Sequence, residues 1–143
     1  MDLPSPEATR SLARDILARS PAGSLVILAG PLGAGKTTLT KYLGELLGSP
    51  AHVSSPTYTL VHEYPSPQGL LVHIDAYRLG SAEALHDMGL EDYLERARLV
   101  VVEWGEALLD SYPDALVVRL ELDANGRRAT LFRAGLPLDD SAP

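Results

Sequence analysis

Apolar residues follow two rhythms along this chain, and the rhythm switches at short Gly- and Pro-rich breaks. Residues 25–29 and 99–102 are unbroken apolar runs rich in Val and Ile or Leu, the pattern of strands buried on both faces of a parallel sheet. Residues 58–64 alternate instead, with Tyr58, Leu60, His62 and Tyr64 against Thr59, Val61 and Glu63. After a Pro/Ser/Gly turn, residues 70–74 form the next apolar run, so the two are predicted to pair as an antiparallel hairpin. A further strand at 114–122 meets its partner at 127–133 through Asp123, Ala124, Asn125 and Gly126, a strong hairpin turn signal. Helical spacing occurs at 5–20, where Leu12, Ile16 and Leu17 share a face behind a Ser5 cap and Pro6. It recurs at 38–47, where Leu39, Leu43, Leu46 and Leu47 line up before Gly48 and Pro50. Ser81 to Gly89 bound a short helix, and 90–97 adds another turn with Tyr93 and Leu94 inward.

These elements predict an α/β fold: a mostly parallel sheet with flanking helices and an antiparallel hairpin at one edge. One domain is expected over 1–135, with a Pro- and Asp-rich flexible tail at 136–143.

The stretch at 30–37 changes the picture from fold to chemistry. Gly30, Gly35, Lys36 and Thr37 fit G-x-x-x-x-G-K-[ST], between a predicted strand and a predicted helix, which is the setting of a phosphate-binding loop (P-loop). Glycines at 30, 33 and 35 let the backbone wrap a phosphate, and successive N–H groups form an anion nest. Pro31 removes one donor at an outer position, leaving four from Gly33 to Lys36. The helix N-terminus adds its own N–H groups, Lys36 adds a full charge, and the Thr37 hydroxyl is a hard ligand for Mg²⁺.

Two further strands end in acids. Residues 71–74 run into Asp75, in the form of a Walker B strand, and 99–102 run into Glu103. Open α/β sheets bind ligands beyond the carboxyl ends of their strands, so both acids can reach the triphosphate site. Carboxylates beside phosphates repel unless a cation lies between them, so the arrangement implies Mg²⁺. Glu106, one turn on, is expected to cap the next helix. Thr57 has two readings: a switch-loop residue that senses the γ-phosphate, or a local hydrogen-bonding residue in a Ser-Pro-Thr turn. Arg127, at the mouth of the second hairpin, can stack on a base or reach a phosphate. Arg78 can pair with an acid or a phosphate, and His86 reads as a surface residue.

Composition narrows the class. Over 143 residues, 45% are hydrophobic and 22% charged, as in a soluble globular chain. No apolar run approaches a membrane span, and residues 1–20 do not have the layout of a secretory signal. The absence of cysteine excludes disulfides and thiolate metal sites, and a cytoplasmic location is expected. The net charge of −7, with no basic stripe in the sequence, argues against unaided RNA binding; contact with RNA is expected to go through a partner protein.

Four blocks together resemble the TsaE (YjeE) family: residues 30–38, 55–64, 73–79 and 102–106, in the family's order, within a likeness over roughly 3–133. The resemblance implies a P-loop NTPase that binds ATP and Mg²⁺ and works with TsaB and TsaD in making threonylcarbamoyladenosine in tRNA, touching tRNA through that complex. It implies that Leu32, Gly33, Ala34, Gly35, Lys36 and Thr37, with Thr38, bind the phosphates. Thr37 and Glu103 would ligate Mg²⁺, and Asp75 would act on Mg²⁺ or on the attacking water. Lys36, Thr57, Asp75 and Glu103 would thus serve catalysis. Arg127 would contact the nucleotide, and the segment from Pro6 to Thr9 would lie near the adenine. Pro31 departs from the Asp that the family often carries. Two rivals stand beside this reading: a small-molecule or nucleotide kinase, which would need an acceptor-binding insertion and a lid, and a nucleotide-gated binding module without hydrolysis.

Overall fold

Strand β1 (Ser24–Ala29) is the centre of the architecture, with Leu25 to Leu28 all buried. A computed structural model of the chain describes residues 1–31, 33–49, 61–76, 81–124 and 126–138. Around β1 lie β2 (Val61–Tyr64), β3 (Leu70–Asp75), β4 (Ala97–Glu103), β5 (Leu116–Asp123), β6 (Gly126–Arg133) and β7 (Leu136–Pro137). They form one sheet in the order β2-β3-β4-β1-β5-β6-β7. The four central strands, β3, β4, β1 and β5, are parallel. The hairpin partners β2 and β6, and then β7, run antiparallel. The sheet is therefore mixed, with antiparallel strands on both edges rather than at one.

Helices cover both faces. Helix α1 (Pro6–Ala18) starts as its sequence dictates: Ser5 Oγ accepts a hydrogen bond from the Ala8 N–H, and Pro6 occupies the first turn. It buries Leu12, Ala13 and Ile16 beside α2 (Lys36–Leu47), which buries Leu39, Leu43 and Leu47. Gly48 ends α2 in a left-handed conformation, with its N–H on the Glu45 carbonyl and the Ser49 N–H on that of Gly44. Together α1 and α2 close one core against Val26, Leu28, Leu71, Leu99, Val101 and Val118. Leu85 of α3 (Ala82–Asp87), Leu90 of α4 (Leu90–Arg96) and Leu108 close the other, against Ile27, Ile74, Val100 and Val102.

Three sequence expectations shift. Residues 136 and 137 are not tail: Ala134 and Gly135 both take positive φ, and this two-residue turn returns the chain to pair Leu136 with Arg133 and Pro137 with Phe132. Proline is tolerated there because β7 is an edge strand. The predicted tail from 139 onward lies outside the described residues. Glu106 opens a 3-10 turn (Glu106–Asp110) but does not cap it; Gly105 holds that position, packed so closely on Val102 that a Cβ would sit 2.7 Å from its side chain. His86 is half-buried, hydrogen-bonded to Glu91 and stacked on Tyr112, joining α3 to the start of α4. The Glu91 carboxyl is held below its ordinary range, first by a backbone N–H and then by His86.

Candidate functional site

The register of three neighbouring strands sets the site. Asp75 at the end of β3 is the Cα partner of Glu103 at the end of β4, and Glu103 is the partner of Leu28 in β1. Hydrogen bonds continue the ladder past the strands: Ala76 N–H donates to the Glu103 carbonyl at 2.9 Å, and Trp104 N–H to the Leu28 carbonyl at 3.3 Å. The two acid-tipped strands and the strand that feeds the glycine loop therefore finish side by side, as the sequence pattern predicts.

The loop leaves β1 at Gly30, whose φ is 140°. A Cβ there would stand 2.2 Å from the Leu120 carbonyl oxygen of β5. Backbone conformation and space both require glycine. Gly30→Ala is expected to destabilise the fold by about 3 kcal/mol or more, through positive φ and a backbone clash together. Thermal unfolding followed by circular dichroism should show it as a fall of roughly 10 °C. Gly35, with φ 104°, caps α2 and turns the chain into the helix. Of the four donors expected from Gly33 to Lys36, the Ala34 N–H is already engaged, on the Pro31 carbonyl at 3.2 Å.

Lys36 is 5% exposed and its ammonium is held from three sides. Nζ donates to the Gly30 carbonyl at 2.8 Å, stands 4.0 Å from Glu103 Oε1 and sits 4.1 Å from the centroid of the Trp104 ring. Trp104 reaches that place with φ 62°, a left-handed conformation unusual for a side chain of this size. Glu103, 8% exposed, is gripped at its other oxygen as well: Oε2 is 2.5 Å from His73 Nε2. His73 is wholly buried, and its Nδ1 has no hydrogen-bond partner among the described residues. Sequence reasoning gave His73 no role. The available signal was a polar ring on an otherwise apolar strand, two positions before Asp75 and so on its face of the sheet.

A cavity of about 340 Å³ opens in front of these groups, lined by Gly33, Gly35, Lys36, Thr37, Thr38, Glu103 and Arg127. Arg127 crosses from β6 and donates from Nη2 to the Gly33 carbonyl at 3.4 Å. A smaller cavity beside it is lined by Leu3, Thr9, Ala34, Gly35, Thr38 and Arg127 among others. Residues 1–3 bring α1 there by pairing along β6, with Leu3 N–H on the Arg127 carbonyl. Thr9 thus borders the site, whereas Pro6 opens α1 at an exposed position and lines neither cavity. Asp75 is half-buried beside Glu103 and does not line the larger cavity. Leu32, Thr57 and Arg78 lie outside the described residues. A cavity of about 380 Å³ lies at Ser24, Leu25 and Leu116, the other end of β1 and β5, where open α/β sheets do not place their ligands.

Thr37, Glu103 and Asp75 offer only oxygen, the donor set of a hard cation. No three His, Asp or Glu side chains among the described residues form a closed metal cage. Mg²⁺ is such a cation: it takes one or two carboxylates and completes its shell with water and substrate phosphate.

A strand, a glycine loop and a helix that buries its first lysine, set beside two acid-tipped parallel strands, define an α/β protein of the P-loop NTPase class. The chain belongs to the TsaE family: the family model described as "Threonylcarbamoyl adenosine biosynthesis protein TsaE" matches residues 3–130. Curated relatives carry the name tRNA threonylcarbamoyladenosine biosynthesis protein TsaE. The protein from Streptomyces coelicolor is 43% identical over 80% of this chain and 78% of its own. That from Aquifex aeolicus is 36% identical over 92% and 93%. That from Bacillus subtilis is 34% identical over 91% and 82%. The crystal structure of Bacillus subtilis YdiB superimposes with a TM-score of 0.70 at 29% identity, over 92% of this chain and 82% of that one. Among the described residues no helix is long and apolar enough to cross a membrane.

Proposed function

We propose that the chain is a Mg²⁺-dependent ATPase that acts with TsaB and TsaD in threonylcarbamoylation of the adenosine next to the tRNA anticodon. The observation that carries this reading is the shared ending of β1, β3 and β4: Lys36, Thr37 and Glu103 line one cavity, and Asp75 is the register partner of Glu103. The reaction is in-line attack of water on the γ-phosphate, where catalysis is mainly positioning and charge neutralisation.

Each residue has a task in that chemistry. The N–H groups at the start of α2 hold phosphate oxygens. Lys36 leaves the Gly30 carbonyl and extends to the β- and γ-phosphates; until then the Trp104 ring and Glu103 keep its charge in place. Arg127 closes over the loop, and the segment that includes Thr9 faces the base. Mg²⁺, held by Thr37 and Glu103 with Asp75 beside them, would neutralise the triphosphate. Asp75 is left to act on the cation or to orient the water. Turnover is slow alone and faster with the partners.

Reconstitution with TsaB, TsaD and tRNA tests this. Repeated modification of tRNA is expected to require the chain and hydrolysable ATP, with ADP and phosphate as products. Equal modification over many rounds with a non-hydrolysable analogue would remove the ATPase role, and a phosphorylated acceptor would make the chain a kinase.

A further inference from the structure

His73 is a buried polar side chain beside the site that the reaction above does not use. It lies in β3 with Leu71 on the same face, and its neighbours in the core include Leu99 and Val101. An aliphatic residue would satisfy that environment. The imidazole is instead retained with Nδ1 lacking any hydrogen-bond partner among the described residues. A polar ring in an apolar setting calls for a polar partner to account for it. That partner is at the other nitrogen: Glu103 Oε2 lies 2.5 Å from Nε2. A carboxylate only accepts hydrogen bonds, so Nε2 carries the hydrogen of this contact.

We propose that His73 is a positioning residue: by holding Oε2 of Glu103 from beneath, it aims the other carboxylate oxygen at the divalent cation that accompanies the nucleotide. Oε1 already faces Lys36, 4.0 Å from Nζ, on the side of the cavity that Thr37 lines. Without His73 the carboxylate is free to rotate, and the cation would have to order it on arrival. Groups that orient a ligating side chain in this way typically change metal affinity by about 10- to 100-fold when removed. This inference rests on the proposed Mg²⁺–ATP site and adds to it the element that sets its cation affinity.

The test is calorimetric titration of ATP at a series of Mg²⁺ concentrations, and in EDTA, for wild type, His73→Leu and His73→Gln. His73→Leu is expected to need at least ~10-fold more Mg²⁺ for half of the Mg²⁺-dependent gain in ATP affinity. Its ATP affinity in EDTA should stay near that of wild type. His73→Gln, whose amide N–H reaches the position of Nε2, should recover most of the loss. A Leu variant that follows the wild-type Mg²⁺ curve, or a Gln variant displaced as far as Leu, overturns the proposal. Should the Leu variant fail to fold, NMR of the wild-type imidazole decides: its Nε2–H resonance is expected to move when Mg²⁺ is added to the ATP-loaded protein, and an unmoved resonance overturns the idea. Failure of the nucleotide reading looks different, because wild type itself would then bind no ATP at any Mg²⁺ concentration.

Discussion

Lys36→Ala is expected to lower ATP hydrolysis at least ~100-fold, which corresponds to about 3 kcal/mol of lost transition-state stabilisation. The size of the effect follows from what the ammonium does in turn. Before nucleotide arrives it satisfies the Gly30 carbonyl and stands by the buried Glu103 carboxylate. With nucleotide it meets charge that grows on the transferred phosphoryl oxygens. Truncation also leaves Glu103 without its cation, so a stability loss of about 1–3 kcal/mol is expected alongside. Activity should therefore be measured well below the variant's melting temperature. Lys36→Met separates the two effects. Its unbranched side chain can still cover the Trp104 ring, so stability should partly return, whereas hydrolysis should stay as low as in the Ala variant. A Met variant that regains activity would show that packing, and not charge, is what the site needs from this position.

Local signals carried most of this architecture. The strand, loop and helix at 24–47 are specified by residues close in sequence: an apolar run, glycines where φ is positive, and a helical leucine stripe closed by Gly48. Both hairpins were legible for the same reason, since alternation and turn residues act over a few positions. What local patterns did not contain is non-local. Strand β7 forms because β6 offers an edge, and nothing in the composition of 134–138 distinguishes it from a frayed end. Its turn places Ala134 at φ 54°, where a sequence reader expects Gly or Asn.

The site divides in the same way. That Asp75 and Glu103 end their strands was readable. That they are direct register partners was not, because it depends on β4 inserting between β3 and β1. The grip of His73 on Glu103 crosses the same strand boundary, 30 residues apart in sequence. Trp104 was legible as a neighbour of the site, but its stacking on Lys36 depends on a left-handed turn that no propensity would suggest. The engaged Ala34 N–H depends on the loop's own hydrogen bonding, which a motif does not record.

Asp75→Asn should separate binding from turnover more cleanly than any other single change. Asp75 and Glu103 stand side by side at the ends of adjacent strands, about 4.8 Å apart along the backbone ladder. The amide keeps the shape and removes one charge. ATP affinity should hold within about threefold, since less negative charge meets the phosphates. Hydrolysis should nevertheless fall at least ~100-fold, because an amide neither serves a cation as well nor takes a proton from water. Binding and turnover then separate, the mark of a residue kept for chemistry rather than for holding the nucleotide. The same variant separates the rival reading. If this chain only signals nucleotide occupancy, Asp75→Asn should bind ATP and support repeated tRNA modification with TsaB and TsaD as well as wild type does. If hydrolysis resets the complex, modification should stop after about one round per complex.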